Sequence, residues 1–441
     1  MNANPIALDN TRVWGPSWTF LGLLLVLDQM LLPIFHLGGL PYKVSYFICG
    51  LWLLDALARD HHDAYRTRAF LRLALAMSVI VGCALLGELW LAANYQPAQD
   101  GQALRSVLIY VLATLAFGMG LSAVRFRFEW LVPVLFAAVA LNLLTIIMRG
   151  SLPPWLIDLY YPAQQVTALV DHGAVDARSV LEMVRPRGLF GNPNVSAHMI
   201  TVIALFICLG LRNGRMRAPG SLAAIGVVTL PLMIATLLAS RGEMLVTAVL
   251  AFFNFRYIFA LSDARGRTAL TVAAVAGPIL MIAVLVRVVS ETSLIENWDR
   301  FVQIFDALQN SSQISADEQS LSGLSRPLLT LQRMWDRFQF SPLFGSGFSA
   351  TVGAPFADGT EFFHNDWFRL IATSGLAGLA AMLWIIWKYC RPFGWLALIP
   401  FVLPALVNTF MLLIPAFMFY FFMIGVLNNE PPRPETERPT A

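Results

Sequence analysis

The stretch FLRLALAMSVIVGCALLGELWLAA, residues 70–93, is apolar over a length that can cross a lipid bilayer. A membrane-spanning helix needs roughly 20 mostly apolar residues to cover the ~30 Å hydrocarbon core. Comparable blocks recur along the chain and predict about twelve spans, near residues 17–36, 41–58, 70–93, 103–123, 129–148, 195–211, 220–238, 243–261, 268–288, 366–387, 393–408 and 410–427. The last two share only 35 residues, with Asn408-Thr409 as their turn, so a count one lower is left open.

The composition is that of a polytopic membrane protein. Of the 441 residues, 57% are hydrophobic and 13% are charged, which lies well outside the range of ordinary soluble domains. We therefore expect an all-α fold, a transmembrane helical bundle. The net charge of +3 is expected to reflect membrane topology, and it does not support a nucleic-acid partner.

Basic residues predict the orientation of this bundle, because they concentrate in short cytoplasmic loops. With the N-terminus inside, the short inner loops carry fourteen arginines and lysines and the short outer loops carry three. The fourteen are Arg59, Arg66, Arg68, Arg72, Arg125, Arg127, Arg212, Arg215, Arg217, Arg256, Arg265, Arg267, Lys388 and Arg391, and the three are Lys43, Arg105 and Arg241. Both ends of the chain are therefore expected in the cytoplasm.

Two segments on the outer side are longer than any inner loop, namely residues 149–194 and 289–365. The second lies between the ninth and tenth predicted spans and contains LIENWDRFVQIFDALQN and PLLTLQRMWDRFQF, whose apolar residues recur at helical spacing. These stretches predict helices that lie on the membrane or cap a cavity between spans, although ordinary loop helices are an equal alternative. We expect one transmembrane domain over residues 1–427 and a disordered, proline-rich cytoplasmic tail over 428–441.

Cysteine and histidine patterns give no sign of a metal or cofactor. Four cysteines lie in or beside apolar segments without C-x-x-C spacing, so they predict neither a disulfide framework nor a zinc site. No cluster of histidine and carboxylate residues has the spacing of metal ligands. We therefore predict that the protein uses neither a metal nor a cofactor.

Several arginines lie on the predicted outer side, although basic residues normally concentrate in short cytoplasmic loops. Arg187, Arg241 and Arg326 lie at or near predicted span ends, and Arg333 and Arg337 follow the last of them. A guanidinium group offers a planar fork of donors that suits phosphate, so these arginines are candidates for binding a phosphorylated ligand. The alternative for each is an arginine that snorkels to the interface or forms a structural salt bridge.

His364 lies in FFHNDWFRLIATSGLAG, residues 362–378, at the predicted outer end of the tenth span. It is therefore on the same side as the outer arginines. An imidazole with an ordinary pKa of about 6.5 can take a proton from a hydroxyl group near neutral pH. The alternative is a hydrogen-bonded packing residue.

The order of motifs resembles the O-antigen ligase and polymerase superfamily of bacterial membrane glycosyltransferases. His364-Asn365, nine residues and then the G-x-x-G of Gly375 and Gly378 are similar to the family's histidine signature. The segment SPLFGSGF precedes it, and RGLFGNPNVSAH and SRGE lie further upstream, as in the family. The resemblance runs from about Arg187 to Lys388.

The resemblance implies a metal-independent, inverting glycosyltransferase whose donor is a glycan linked to undecaprenyl pyrophosphate. It implies that the outer arginines bind the pyrophosphate, namely Arg187, Arg241 and either Arg326 or Arg333. It also implies that His364 is the general base and that Asn365 or Asp366 orients the imidazole or the acceptor. We expect Gly375 and Gly378 to allow close helix packing.

Three functions are compatible with these features. The first is an O-antigen ligase that moves a glycan to lipid A-core on the periplasmic face of the inner membrane, in lipopolysaccharide biosynthesis. The second is an O-antigen or exopolysaccharide polymerase, with another lipid-linked glycan as acceptor; Asp366 after the His-Asn pair fits this class equally well. The third is a flippase or transporter of lipid-linked glycans, which normally places functional charges near the bilayer midplane.

Overall fold

A computed structural model describes residues 35–37, 40–58, 64–94, 96–97, 102–123, 126–147, 193–238, 241–272, 274, 325–348, 351–352, 365–402, 410–411 and 414–429. Most of the predicted first span, most of the segment 149–194, the predicted helix at 294–310 and nearly all of the tail lie outside these ranges. Arg187 and His364 also lie outside them.

Within the described ranges the protein is built from helices, so the predicted all-α class is confirmed. The helices include α1 Val44–Ala58, α2 Ala64–Asn94, α3 Gln102–Ser122, α4 Leu131–Ile147, α5 Pro193–Arg212, α6 Ser221–Leu237, α7 Arg241–Leu261, α8 Ser325–Phe340, α9 Asp366–Ile385, α10 Ile399–Val402 and α11 Ile414–Leu427. The predicted spans between 41 and 261 correspond to α1–α7, and those beginning at 366 and 410 correspond to α9 and α11.

Among the residues that the structure describes, four helices are long and apolar enough to cross a membrane, and they cover Arg66–Asn94, Val195–Arg212, Glu243–Leu261 and Asp366–Phe393. Shorter apolar helices cover Val44–Leu57, Ser106–Ser122, Phe128–Leu144, Ser221–Leu237 and Ala416–Leu427. These helices support a membrane protein, because only helices and closed barrels satisfy the backbone within lipid. The total of twelve spans stays a prediction.

The centre of the bundle is the contact between α3 and α11, which two glycines bring close together. A Cβ atom on Gly120 would lie 2.8 Å from the backbone nitrogen of Val426, and one on Gly425 would lie 3.0 Å from Cα of Gly120. Neither position has room for a larger residue. Every side chain described between 416 and 427 in α11 is buried, so this helix is shielded from lipid by its neighbours.

Two of the short basic loops contact the C-terminal end of α11. Arg66 Nε donates to the carbonyl of Asn429 at 3.2 Å, and Arg215 Nη1 donates to that of Val426 at 3.3 Å. These bonds join the start of α2 and the end of α5 to the end of α11. The first turn of α9 lies at the opposite end of the bundle. That this opposite end faces the periplasm stays a prediction.

Two short antiparallel ribbons accompany the helices. Phe35–Leu37 (β1) pairs with Leu40–Tyr42 (β2), and Gln96–Pro97 (β3) pairs with Thr351–Val352 (β4). The predicted span 17–36 is therefore wrong at its C-terminal edge, where the chain is already a strand. The second ribbon joins the segment after α2 to the segment that precedes α9.

The predicted eleventh span, residues 393–408, is described only as far as residue 402 and is not one continuous helix there. After α9 the chain forms a π-helix at Ile386–Cys390 and 3₁₀ turns at Arg391–Phe393 and Trp395–Leu398, and α10 follows. Gly394 separates the two 3₁₀ turns with a φ of 87°. A φ in this range interrupts a right-handed helix and is readily adopted only by glycine.

Candidate functional site

Helix α9 is broken at Gly375, whose φ of 63° and ψ of −162° are not helical. The segment SPLFGSGF, residues 341–348, pairs with the backbone groups that this break exposes. The four hydrogen bonds run from Ser346 N to Ala372 O (2.8 Å), from Gly347 N to Thr373 O (3.1 Å), from Leu376 N to Pro342 O (2.9 Å) and from Ala377 N to Leu343 O (3.1 Å). In lipid, backbone groups without such partners are very costly, so the loop makes the break possible.

The two glycines of SPLFGSGF are required by this insertion. Gly345 and Gly347 have φ values of 75° and 80°, which side chains other than glycine rarely adopt. A Cβ atom on Gly87 of α2 would lie 2.6 Å from the carbonyl oxygen of Gly345. The loop is therefore held between α2 and α9 at backbone contact distance.

The prediction that Gly375 serves close helix packing is wrong, because its nearest neighbours belong to the inserted loop. A Cβ atom there would lie 2.6 Å from the backbone nitrogen of Gly345. Gly378 differs, since a Cβ atom on it would approach Ser374 of its own helix and would lie 3.9 Å from Cα of Ile80 in α2. The sequence pattern G-x-x-G thus combines a helix break with a helix contact.

Two charged side chains hold the loop, the buried Arg337 and the partly buried Glu88. Arg337 of α8 is 1% exposed, and its Nη1 donates to Ser346 Oγ at 3.3 Å and to the carbonyl of Gly347 at 3.4 Å. Glu88 of α2 accepts a hydrogen bond from the backbone N–H of Phe348 at 2.8 Å through Oε2. The contacts of Arg337 make it an anchor of this loop.

Helix α8 confirms the amphipathic helix predicted from PLLTLQRMWDRFQF. Met334 and Phe338 pack against Ala372 and neighbouring apolar residues of α9. Trp335, on another face of α8, is 52% exposed. The helix therefore covers the first half of α9, which follows His364 directly.

Asn365 and Asp366 fix the start of α9 through backbone contacts. Asn365 is the N-cap, and its Oδ1 accepts hydrogen bonds from the N–H groups of Trp367 at 3.0 Å and Phe368 at 3.1 Å. Asp366 is 2% exposed, and its Oδ2 accepts from the N–H of Met411 at 2.7 Å. His364 therefore adjoins a helix start that is fixed by hydrogen bonds from three backbone N–H groups, those of Trp367, Phe368 and Met411.

One turn further along, Arg369 connects α9 with α3. Its Nη2 donates to Ser106 Oγ at 3.0 Å, and the arginine is 9% exposed. Ser106 lies in the first turns of α3. The starts of α3 and α9 are thus tied together by a buried polar contact at the candidate site's end of the bundle.

A second buried polar contact joins α5 and α7 at this same end. His198 Nε2 lies 3.1 Å from Glu243 Oε1, and each side chain is 1% exposed. The imidazole stacks on the ring of Phe410, with 6.2 Å between ring centroids and 14° between ring planes. Charged and polar groups buried in membrane helices are rare and usually serve function.

For three of the predicted arginines the structure describes the position in a helix but not the side chain. Arg241 is the first residue of α7, two positions before Glu243, and Arg326 and Arg333 lie in α8. The described side chains do not include these three. Their helices nevertheless bring the predicted residues to the end of the bundle where α9 begins.

Several polar residues of this end were missed from sequence. They are Glu88, His198, Arg369 and Ser106, and Glu243 was considered only as a partner for Arg241. A usable signal existed, because Glu88, His198 and Arg369 each interrupt a predicted apolar span. In the ranges that the structure describes, no three His, Cys, Asp or Glu side chains are placed to hold a metal ion.

Comparison with known proteins supports the resemblance drawn from the motifs. Residues 225–383 match the family model described as O-antigen ligase. No curated protein matches the chain. The matched region contains the start of α7, the inserted loop, His364 and the broken helix α9, whereas Arg187 and His198 precede it. Residues 225–383 of this chain are therefore similar to the O-antigen ligase family.

Proposed function

We propose that the protein is an O-antigen ligase, which transfers a glycan from undecaprenyl pyrophosphate to a hydroxyl group of lipid A-core on the periplasmic face of the bacterial inner membrane. The observation that carries this proposal is the family match over residues 225–383, which includes Arg241, Arg326 and His364. The buried polar contacts at the start of α9 support it, because they order the chain next to His364.

The proposed reaction is a single displacement at the anomeric carbon. The acceptor oxygen forms the new glycosidic bond, the bond to the pyrophosphate oxygen breaks, and the acceptor proton passes to His364. A single displacement inverts the anomeric configuration. The pyrophosphate leaves with the bonding electron pair, so the site must stabilise a growing negative charge.

Arginines are proposed to stabilise that charge without a metal. Arg187, Arg241 and Arg326 or Arg333 would each bring a fixed positive charge and a bidentate donor pair to phosphate oxygens. Asp366 would orient the imidazole or the acceptor through Oδ1, which accepts no hydrogen bond from the residues described. Asn365 would share that role from its position next to His364.

A deletion strain distinguishes the ligase from its alternatives. We expect lipopolysaccharide gels of the strain to lack every O-antigen-capped form while polymer accumulates on the lipid carrier. A polymerase would instead leave lipopolysaccharide capped with single repeats. Accumulation of the lipid-linked glycan on the cytoplasmic side would indicate a flippase and would contradict the proposal.

Arg241→Lys is expected to insert normally and to transfer glycan at least about tenfold more slowly, because a lost charge-assisted hydrogen bond is worth roughly 1.5–3 kcal/mol. Lysine keeps the charge but loses the bidentate fork. The rate is measured with purified enzyme and a defined lipid-linked donor. Arg256→Lys is the matched control, since Arg256 is exposed near the other end of α7.

The contrary result is full activity in Arg241→Lys. It would show that Arg241 only anchors α7 at the interface, where lysine substitutes well. A local pair between Arg241 and Glu243 is the other alternative. In the structure Glu243 Oε1 lies beside His198, which makes His198 a partner of this carboxylate.

A further inference from the structure

His198 and Glu243 form a contact that helix packing alone does not require. They lie on α5 and α7, and each is 1% exposed. The same two helices meet again at Asn254, whose Nδ2 donates to the carbonyl of Ala204 at 3.3 Å. The eleven residues from Glu243 to Asn254 correspond to about 16 Å along α7, so helix contact continues far from the ionisable pair.

The pair also contacts the segment that holds the start of α9. His198 stacks on Phe410, and the next residue, Met411, donates its backbone N–H to Asp366. Phe410 is 0% exposed, and its ring packs against Tyr420 of α11 with 5.6 Å between centroids. A continuous set of contacts therefore runs from Glu243 through His198 and Phe410-Met411 to Asp366.

Both ends of this set adjoin residues with proposed chemical roles. Glu243 lies two residues after Arg241, in the first turn of α7, and Asp366 lies two residues after His364. A displacement of about 1 Å between reacting groups can lower a rate by about two orders of magnitude. The relative position of these two helix starts is therefore a property that the enzyme has to control.

We infer that His198 and Glu243 are positioning residues, which fix the first turn of α7, and with it Arg241, relative to the helix start that carries His364. This inference rests on the proposed function. It assigns the pair to the donor side of the reaction, because Arg241 is proposed to bind the donor pyrophosphate. The proposed acceptor contact, through Asp366, lies on the far side of Phe410-Met411 from the pair, so acceptor binding is expected to change less than donor binding.

The test compares two changes from a polar to an apolar side chain on α7 in the full-length enzyme. Glu243→Leu removes the polar contact and fills the space, and Asn254→Leu does the same at the other α5–α7 contact. We expect Glu243→Leu to raise KM for the lipid-linked donor and to lower kcat/KM for the donor by about tenfold or more, while KM for the acceptor stays within about twofold. Asn254→Leu is expected to leave all three within about twofold.

Two further variants complete the test. Glu243→Gln keeps a side chain that reaches the imidazole, and it is expected to recover most of the activity lost in Glu243→Leu. His198→Phe keeps a ring against Phe410 but removes the polar contact, and it is expected to reproduce the kinetic pattern of Glu243→Leu. It also provides the measurement if Glu243→Leu does not fold.

The inference is overturned if the folded Glu243→Leu or His198→Phe enzyme behaves like Asn254→Leu. It is also overturned if KM for the acceptor rises as much as KM for the donor, because that pattern indicates a general loosening of the site. These outcomes require a wild-type enzyme that transfers glycan. A wild-type enzyme without transfer activity would instead contradict the proposed function.

Discussion

His364→Ala is expected to reach the membrane at normal levels and to transfer glycan about 10²- to 10⁴-fold more slowly than the wild type, the usual contribution of a positioned general base. The physical reason is that an alanine leaves the acceptor proton without an acceptor near neutral pH. The hydroxyl oxygen is then a poor nucleophile. The measurement is the initial rate of glycan transfer by equal amounts of purified enzyme.

A control substitution at another histidine distinguishes loss of the base from a general effect of replacing histidine with alanine. His61 lies between α1 and α2, in a loop predicted to be cytoplasmic, so His61→Ala is expected to keep the wild-type rate. The base assignment would not survive a well-expressed His364→Ala enzyme with a near-normal rate. His364 would then be a packing residue at the start of the span.

Gly375→Ala is expected to be strongly destabilising. A φ of 63° with a ψ of −162° lies in a region essentially restricted to glycine, where other residues incur a strain of about 1–3 kcal/mol. The new Cβ atom would also lie 2.6 Å from the backbone nitrogen of Gly345. Overpacking of this kind typically costs a further 1–3 kcal/mol or so.

The loss is measured as a lower unfolding temperature of the purified protein and a smaller yield of monodisperse material. Gly82→Ala in α2 is the control, because nothing lies within 4 Å of a Cβ atom built there. Alanine is favoured over glycine in a helix by up to about 1 kcal/mol, so Gly82→Ala is expected to be neutral or slightly stabilising. Equal stability of the two variants would show that α9 is not broken at Gly375.

The helices of the bundle could be predicted from sequence because each long apolar block has one main solution in lipid, a helix. The break in α9 could not, because it depends on a loop whose Ser346 and Gly347 pair with Ala372 and Thr373, each 26 positions later in the chain. The pattern of apolar residues is the same with or without that loop. The local sequence thus predicts which segments lie in lipid. It does not predict which distant segment forms hydrogen bonds with the backbone groups that a helix break exposes.

The candidate site, like the fold, could be predicted from the sequence only in part. The residues proposed to carry chemistry, such as His364 and Arg241, were recognisable because they lie at the ends of apolar blocks and resemble family motifs. The partners that place them were not, since His198 and Glu243 are forty-five positions apart and Glu88 is far from Phe348 in the chain. Such pairs can be identified only from the three-dimensional packing of the helices.

The most direct measurement of the central claim is glycan transfer by the purified wild-type protein in the presence of EDTA. The assay contains a defined glycan on undecaprenyl pyrophosphate and lipid A-core as acceptor. We predict that glycosylated lipid A-core forms with inverted anomeric configuration, that undecaprenyl pyrophosphate is released, and that EDTA does not change the rate. Transfer that EDTA abolishes and Mg²⁺ or Mn²⁺ restores, or transfer only to a second lipid-linked glycan, would contradict the account.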